Sequence, residues 1–164
     1  MGMLAMVKNW LFTRRLGLGL AVVLLVADQW SKDWALKALE DTPLTLIHGF
    51  LNLHLTFNKG VAFGQLGFMP VWGLAGFAFA AALALVHWLG HRSHWAYQLG
   101  LGCIIAGAVG NGIDRLYIGA VADFIDVILF GWHFYTFNVA DIAINIGVAL
   151  MLLDGFYFQR NNHP

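Results

Sequence analysis

The chain has 164 residues, of which 60% are hydrophobic and only 11% are charged, and its formal net charge at pH 7 is zero. In a typical soluble domain about a quarter of the residues are charged, so this composition indicates a protein that resides in a lipid bilayer. A neutral chain has no overall electrostatic attraction to nucleic acid, and no nucleic-acid partner is expected. The length is that of one domain, and we treat residues 1–164 as a single integral-membrane domain.

Four apolar segments reach the roughly 20 residues that a helix needs to cross a bilayer. Only helices and closed barrels satisfy the backbone inside lipid, and long apolar runs without period-2 alternation predict helices. The predicted helices cover about residues 16–39, 70–90, 97–117 and 136–158. The sequence therefore predicts an all-α membrane protein with four transmembrane helices.

The first apolar segment has an alternative interpretation. Arg14 and Arg15 are followed by about a dozen apolar residues, which is also the pattern of a secretory signal peptide. However, no clear small-x-small cleavage site precedes a polar region, and the helical pattern continues past Trp34. We favour an uncleaved first helix.

The basic residues in the short flanking segments predict the orientation. They lie before the first helix, between the second and third, and after the fourth: Lys8, Arg14, Arg15, Arg92 and Arg160. An even number of crossings puts all of these on one side, and positive flanks favour the cytoplasm. Both termini are therefore expected in the cytoplasm, although Lys32 and Lys37 near the outer end of the first helix weaken the asymmetry slightly.

The two outer loops differ in pattern. Residues 51–58 alternate between apolar and polar, the period of a half-buried strand, and Asn58-Lys59-Gly60 offers a turn back into a second strand at 61–63. We expect a small sheet over about residues 44–66 on the outer membrane surface. The second loop, about 118–135, is rich in aromatic residues, which favour the headgroup layer, so we expect it to lie along the interface.

Polar side chains within the apolar segments are concentrated at one depth, near the outer surface. Charged groups in membrane helices are costly and usually mark a function or a buried pair. The set consists of Asp28 and Lys32 in the first helix, Asn111, Asp114 and Arg115 in the third, Asp123 in the following loop, and Asn138, Asp141 and Asn145 in the fourth. Four elements that present polar groups at one depth predict a single site.

Ion pairing explains the presence of part of this set without a catalytic role. Asp28 lies one turn from Lys32, and Asp114 could pair with Arg115 or with a neighbouring helix. For these four residues individually we favour a structural role.

Asp141 is different, because no basic residue lies within a turn of it and its companions on the helix face are amides. Asp123 is its natural partner. Two carboxyl groups in a partly desolvated site share one proton, which allows one to accept a proton from water while the other donates to a carbonyl oxygen. This is the chemistry of aspartic peptidases.

Other chemistries fit the sequence poorly. Cys103 lies in the middle of a helix without a positioned base, and the seven histidines show no metal-ligand spacing. His48 and His54 in the predicted sheet could bind a metal, but we favour a surface or structural role, and no cofactor is expected. A proton-coupled carrier and a non-catalytic scaffold remain as alternatives.

Four motifs in order resemble those of the lipoprotein signal peptidase (signal peptidase II) family. The matching segments are Asp28-Gln29-Trp30-Ser31-Lys32 (family pattern D-x-x-[ST]-K), Asn58-Lys59-Gly60-Val61-Ala62-Phe63 (N-x-G-x-[AS]-[FW]), Gly110-Asn111-Gly112-Ile113-Asp114-Arg115 with Val121-Ala122-Asp123-Phe124 (G-N-x-x-D-R and V-x-D-F), and Phe137-Asn138-Val139-Ala140-Asp141 (F-N-x-A-D). Any one of them is weak evidence, whereas the ordered set is specific.

The resemblance implies a residue-by-residue assignment. Asp123 and Asp141 would be the catalytic aspartates. The residues that shape and support the site would be Asn111, Asp114, Arg115 and Asn138, and the surrounding architecture would include Asp28, Lys32, Asn58 and Gly60.

The resemblance also implies a substrate, which would be a bacterial prolipoprotein whose cysteine carries diacylglycerol, cut just before that cysteine. The enzyme would lie in the bacterial cytoplasmic (inner) membrane, in contact with membrane lipid, and globomycin would inhibit it. Its active site would be near the periplasmic face. We further expect a monomer, and an outer sheet that moves as a lid.

Overall fold

The computed structural model describes residues 3–40, 42–60, 69–89, 91 and 94–162, and it describes side chains between residues 11 and 156, residue 13 excepted, within those ranges. The helices are α1 (Met3–Ala38), α2 (Val71–Trp88), α3 (Trp95–Tyr117) and α4 (Val139–Asn162). The strands are β1 (Leu44–Ile47), β2 (Leu51–Asn58), β3 (Val121–Leu129) and β4 (Trp132–Phe137). The predicted return strand at 61–63 and Arg92 lie outside the described residues.

Helix α3 is the centre of the bundle and packs against α1, α2 and α4. Its glycines allow close approach on two sides. A Cβ atom on Gly102 would overlap the carbonyl oxygen of Gly17 in α1, and a Cβ atom on Gly107 would overlap the carbonyl oxygen of Ala140 in α4. Small residues at helix contacts let the backbones meet, as membrane helices commonly do.

Among the described residues, three helices are long and apolar enough to cross a membrane: α2, α3 and the Val139–Phe156 part of α4. Helix α1 is longer than predicted and begins at Met3, not near residue 16. Its outer half carries Asp28, Lys32 and Asp33, which lower its hydropathy. Its crossing of the membrane therefore stays a prediction.

A four-stranded antiparallel sheet of order β1-β2-β3-β4 covers one end of the bundle. The predicted strand at 51–58 is confirmed as β2, which pairs with β1 and β3. Residues 118–135 were expected to form a loop along the membrane interface, but they contain β3 and most of β4, which form a hairpin. Phe130 and Gly131, with φ of 53° and 81°, make its turn. The position of this hairpin at the interface stays a prediction. Because β4 continues to Phe137, α4 begins at Val139, three residues later than predicted.

Two apolar clusters hold the elements together. One lies inside the bundle around Leu101 and Ile105 of α3. The other joins Ala35 and Leu39 near the end of α1 to Phe124 of β3 and so fastens the sheet onto the bundle. Large apolar side chains are exposed on the outer helix surfaces, including Val22, Phe77 and Leu83. Such a surface suits contact with lipid.

Candidate active site

The two predicted aspartates line one cavity of about 740 Å³, below the sheet and between α2, α3 and α4. Asp123 comes from β3 and Asp141 from the first turn of α4. The remaining lining residues are Asn58, Met69, Leu74, Phe77, Ala78, Ala81, Ala108, Asn111, Arg115, Val121, Tyr135, Ile144 and Asn145. Polar groups therefore surround the aspartates, while the rest of the wall is mostly apolar.

Asp123 is 2% exposed on β3. The Asn138 side-chain amide donates to its Oδ1 at 2.7 Å. Burial raises the pKa of Asp123, and the Asp141 carboxylate raises it further, to about 7, while hydrogen bonds from Asn58 and Asn138 and the charge of Lys32 act in the opposite direction. At neutral pH this carboxyl group is therefore poised to gain or lose a proton.

Asp141 has amide neighbours, as the sequence predicted. The Asn111 side chain donates through Nδ2 to Asp141 Oδ1 at 2.9 Å. The Asp141 backbone amide donates to Asn138 Oδ1 at 3.0 Å, which is the N-cap interaction of α4. The carboxyl group thus lies in the first turn of a helix, beside the positive end of the aligned peptide dipoles.

A buried cluster around Lys32 supports the site from below. Its Nζ lies 2.9 Å from Asp28 Oδ2, 3.0 Å from Asp114 Oδ2 and 3.0 Å from Asn111 Oδ1. The predicted Asp28–Lys32 pair is present. Of the two alternatives for Asp114, the structure shows the pairing with a neighbouring helix, through Lys32, and Arg115 donates elsewhere.

The carboxylates of this cluster also bind the backbone of the elements that carry the site. Asp28 Oδ1 accepts the Ala140 amide of α4 at 2.8 Å, and Asp114 Oδ2 accepts the Ala122 amide of β3 at 3.1 Å. Each contact lies one residue from an aspartate of the candidate pair. The cluster therefore joins α1 and α3 to both elements of the site.

Arg115 anchors the end of β2 beside the cavity. Its Nη2 donates to the Gly60 carbonyl at 2.5 Å and its Nη1 to the Asn111 carbonyl at 3.0 Å. The Gly60 amide in turn donates to Asn58 Oδ1 at 3.0 Å, which closes an Asx turn. The structure thus brings Asn58 and Gly60 to the site that their motif predicted.

Gln29 is a residue of this network that the sequence analysis missed. Its Nε2 donates to Asp28 Oδ2 at 3.1 Å and to Asp114 Oδ1 at 3.2 Å. A polar amide directly beside Asp28 in an apolar helix was the available signal. Among the described residues, no three His, Cys, Asp or Glu side chains form a group that could hold a metal ion.

The comparisons with known proteins agree with this architecture. Residues 20–157 match the family described as signal peptidase (SPase) II. A lipoprotein signal peptidase of Coxiella burnetii (strain Dugway 5J108-111) is 43% identical over 141 residues, which cover 83% of this chain and 86% of that protein. Another, from Hydrogenovibrio crunogenus, is 36% identical over 145 residues, which cover 85% of this chain and 84% of that protein.

A solved structure has the same fold. It is a bacterial membrane enzyme determined by the in meso method at 2.3 Å resolution, and it matches with a TM-score of 0.80 at 30% identity, covering 90% of this chain and 92% of its own. Both the family match and the relatives extend over most of the chain. The protein therefore belongs to the signal peptidase II family.

Proposed function

We propose that this protein is the membrane aspartic endopeptidase that removes the signal peptide from diacylglyceryl-modified bacterial prolipoproteins, cutting just before the lipidated cysteine. The observation that carries the proposal is the cavity that Asp123 and Asp141 share, together with one buried amide side chain, Asn138, that contacts both residues. The family membership supports the protease activity and the lipoprotein signal peptide as its substrate.

In this proposal the two carboxyl groups divide the acid and base work. Asp123 holds the shared proton at neutral pH, because burial and the neighbouring carboxylate raise its pKa to about 7. Asp141, at the positive end of α4, takes a proton from the attacking water. As the water oxygen bonds to the scissile carbonyl carbon, Asp123 donates its proton to the carbonyl oxygen. Asp141 then donates this proton to the amine nitrogen as the C–N bond breaks, and Asp123 takes back the hydroxyl proton as the new carboxyl group forms.

The shape and chemistry of the cavity suit a lipid-bearing membrane peptide. Its walls away from the aspartates are apolar and include Leu74, Phe77 and Ala78 of α2, Ala108 of α3 and Ile144 of α4. A signal peptide is itself a membrane helix, and both its side chains and the acyl chains of the modified cysteine gain by burial against such walls. The polar groups are concentrated beside the two aspartates, where the peptide bond would be cut.

The supporting residues hold this geometry. Asn111 and Asn138 orient the two carboxyl groups through hydrogen bonds. Lys32, with Asp28 and Asp114, fastens the backbone next to each carboxyl group, and Arg115 fixes the Asn58–Gly60 turn at the rim.

We further propose that α1 is a fourth crossing, with both termini in the cytoplasm and the active site near the periplasmic face of the bacterial inner membrane. The basic residues Arg14 and Arg15 near the beginning of α1 support this orientation. The exposed apolar helix surfaces would contact membrane lipid, and the protein would act as a monomer.

The direct test uses purified protein in detergent with a prolipoprotein in two forms, with and without the diacylglyceryl group. We expect the lipidated form to release an intact signal peptide that ends at the residue before the cysteine, as read by mass spectrometry, and globomycin to stop the release. Absence of release, or equal cleavage of both forms, would overturn the proposal.

A further inference from the structure

The buried Asp126 and the exposed His133 form a pair that does not line the cavity of Asp123 and Asp141. Asp126 is completely buried on β3, three residues beyond Asp123, so that the two carboxyl groups face opposite sides of the strand. His133 Nδ1 lies 2.7 Å from Asp126 Oδ2. The other oxygen, Oδ1, has no hydrogen-bond partner within the described part of the chain. The His133 imidazole is therefore the side chain that hydrogen-bonds to this buried carboxylate.

The pair bridges an irregularity between the two strands. Val127 is the Cα partner of Tyr135, but the next residue, Ile128, is the partner of His133. One step along β3 thus corresponds to two steps along β4, and Phe134 is the extra residue of a β-bulge. Asp126 lies on the active-site side of this bulge and His133 on the side of the hairpin turn.

The bond favours the bulged register. With Thr136 opposite Asp126, a regular ladder would place Phe134 opposite Ile128 and turn His133 to the other face of the sheet. The bulge instead brings His133 to the face of Asp126, where the bond forms. Without this hydrogen bond, the buried carboxylate no longer stabilises the bulge. Loss of the bulge would let β4 slip by one residue along β3, which moves the end of β4 by about 3.3 Å.

The end of β4 leads directly into the catalytic geometry. Phe137, the last residue of β4, is the Cα partner of Ile125, and Asn138 follows it. Asn138 donates to Asp123 and caps the first turn of α4, which carries Asp141. A shift of β4 along β3 would therefore change the separation of the two aspartates.

We propose that the Asp126–His133 pair is a clamp that holds the β4 bulge and thereby the register in which Asn138 reaches Asp123, so that both are positioning residues of the peptidase. The inference rests on the proposed function of Asp123 and Asp141. A hydrogen bond between an imidazole and a buried carboxylate is among the stronger and more directional interactions available to hold such a register. Neither residue lines the substrate cavity, so the clamp acts on turnover and not on substrate affinity.

The kinetic test compares His133→Leu with His133→Asn, using the lipidated prolipoprotein. The His133 side chain is 67% exposed, so both variants are expected to fold. His133→Leu should lose roughly ten- to a hundredfold in kcat with KM within about twofold, because small misplacements of reacting groups cost rate. In His133→Asn, an amide can replace the Nδ1 donor, so kcat should stay within about threefold of wild type. His54→Leu, an exposed histidine of β2, is the matched control.

A second measurement reads the register without any activity. In a Cys103→Ser background, Ile125→Cys and Phe137→Cys place thiols on two Cα partners of β3 and β4. Oxidative cross-linking should be efficient with His133 or His133→Asn and at least about fivefold slower with His133→Leu, because a one-residue slip of about 3.3 Å separates the partners.

The outcomes separate the clamp from the proposed function. Unchanged kcat and cross-linking in His133→Leu would overturn the clamp, and so would a loss of kcat that His133→Asn shares fully or a change confined to KM. If cross-linking slows in His133→Leu and not in His133→Asn, but the wild-type protein cleaves nothing, the register clamp is supported and the peptidase proposal is contradicted.

Discussion

Asn138 connects the two aspartates through opposite ends of one amide group. Its Nδ2 donates to Asp123, and its Oδ1 accepts the backbone amide of Asp141. Its complete burial leaves little room for another orientation. One side chain therefore caps α4 and also links the Asp123 carboxyl group of β3 to the first turn of α4.

A serine at this position separates these two roles. Asn138→Ser keeps an oxygen that can cap α4, whereas Asn138→Ala removes the cap, so we expect Asn138→Ala to lose about 1 kcal/mol more in unfolding free energy. Both variants lose the amide group that donates to Asp123, since the serine hydroxyl is shorter and is used for the cap, and we expect both to lose at least about tenfold in kcat. Denaturant titration and cleavage rates check the two effects. Full activity in Asn138→Ser would show that the donor is dispensable.

The raised pKa of Asp123 predicts the pH dependence of cleavage. The shared proton is present below about pH 7 and is lost as pH rises through the pKa of about 7. We therefore expect kcat/KM to fall roughly tenfold per pH unit on the alkaline side. A profile that stays flat from about pH 6 to 9, well beyond this pKa, would contradict the assignment of the proton to this pair.

The free energy of unfolding should depend on protonation of the same carboxyl group. The pKa of Asp123 is higher in the folded chain than its ordinary value of 3.8, so the folded state binds the proton more tightly and the unfolding free energy decreases as pH rises from about 4 to about 7. Asp123→Asn should weaken this decrease. Thermal unfolding in detergent across that pH range measures it, and an identical slope in wild type and variant would contradict the expectation.

At the scale of elements, the close approach of α3 and α4 helps to place Asp123 and Asp141 at one cavity. Gly107 of α3 faces the Ala140 carbonyl and the Ile144 side chain in α4. This contact fixes the first turns of α4, and therefore Asp141, against the central helix. Gly76 of α2, by contrast, has open space around its missing side chain.

These two glycines make a matched pair of substitutions. Gly107→Ala inserts a methyl group against backbone and should cost roughly 1–3 kcal/mol of stability, together with a loss of activity as α4 shifts. Gly76→Ala should be neutral or stabilising by up to about 1 kcal/mol, because alanine is the better helix former. Unfolding and cleavage measurements on both variants test this difference. Equal effects at the two positions would show that the close approach is unimportant.

The strands show where sequence reasoning reached its limit. The strict alternation of residues 51–58 predicted β2 correctly, because one face of that strand is polar. In Val121–Leu129 only the two aspartates interrupt an apolar run, and the strand is buried on both faces near its beginning. Apolar runs of that kind lack the period-2 signal. The sequence therefore indicated Asp123 as a site residue but placed it in a loop.

For the whole molecule, composition predicted a membrane bundle, and in the part of the chain that the structure describes three helices have the length and hydropathy of membrane spans. The ion cluster of α1 was harder to interpret from sequence. Lys32 lies one turn from Asp28, which predicted their pair, but its contacts with Asp114 and Asn111 join residues about 80 positions apart. Long-range partners of this kind follow from helix packing, which a single sequence does not specify.

The proposed topology has its own test. In a Cys103→Ser background, His48→Cys lies in the turn between β1 and β2, and His91→Cys lies between α2 and α3. If α1 crosses the membrane and the termini are cytoplasmic, an impermeant maleimide should label position 48 in intact spheroplasts and position 91 only after permeabilisation. The reverse pattern, or labelling of both from outside, would contradict the four-crossing arrangement.

The central claim is that Asp123 and Asp141 act together on one peptide bond. The most direct measurement is cleavage of a lipidated prolipoprotein by Asp123→Asn and by Asp141→Asn, each shown to be folded, with Asp33→Asn of an exposed ion pair as the control. We expect each dyad variant to lose at least about a thousandfold in kcat, since a single remaining carboxyl group cannot serve as both acid and base, and the control to match wild type. Cleavage at the wild-type rate by either dyad variant would contradict the account.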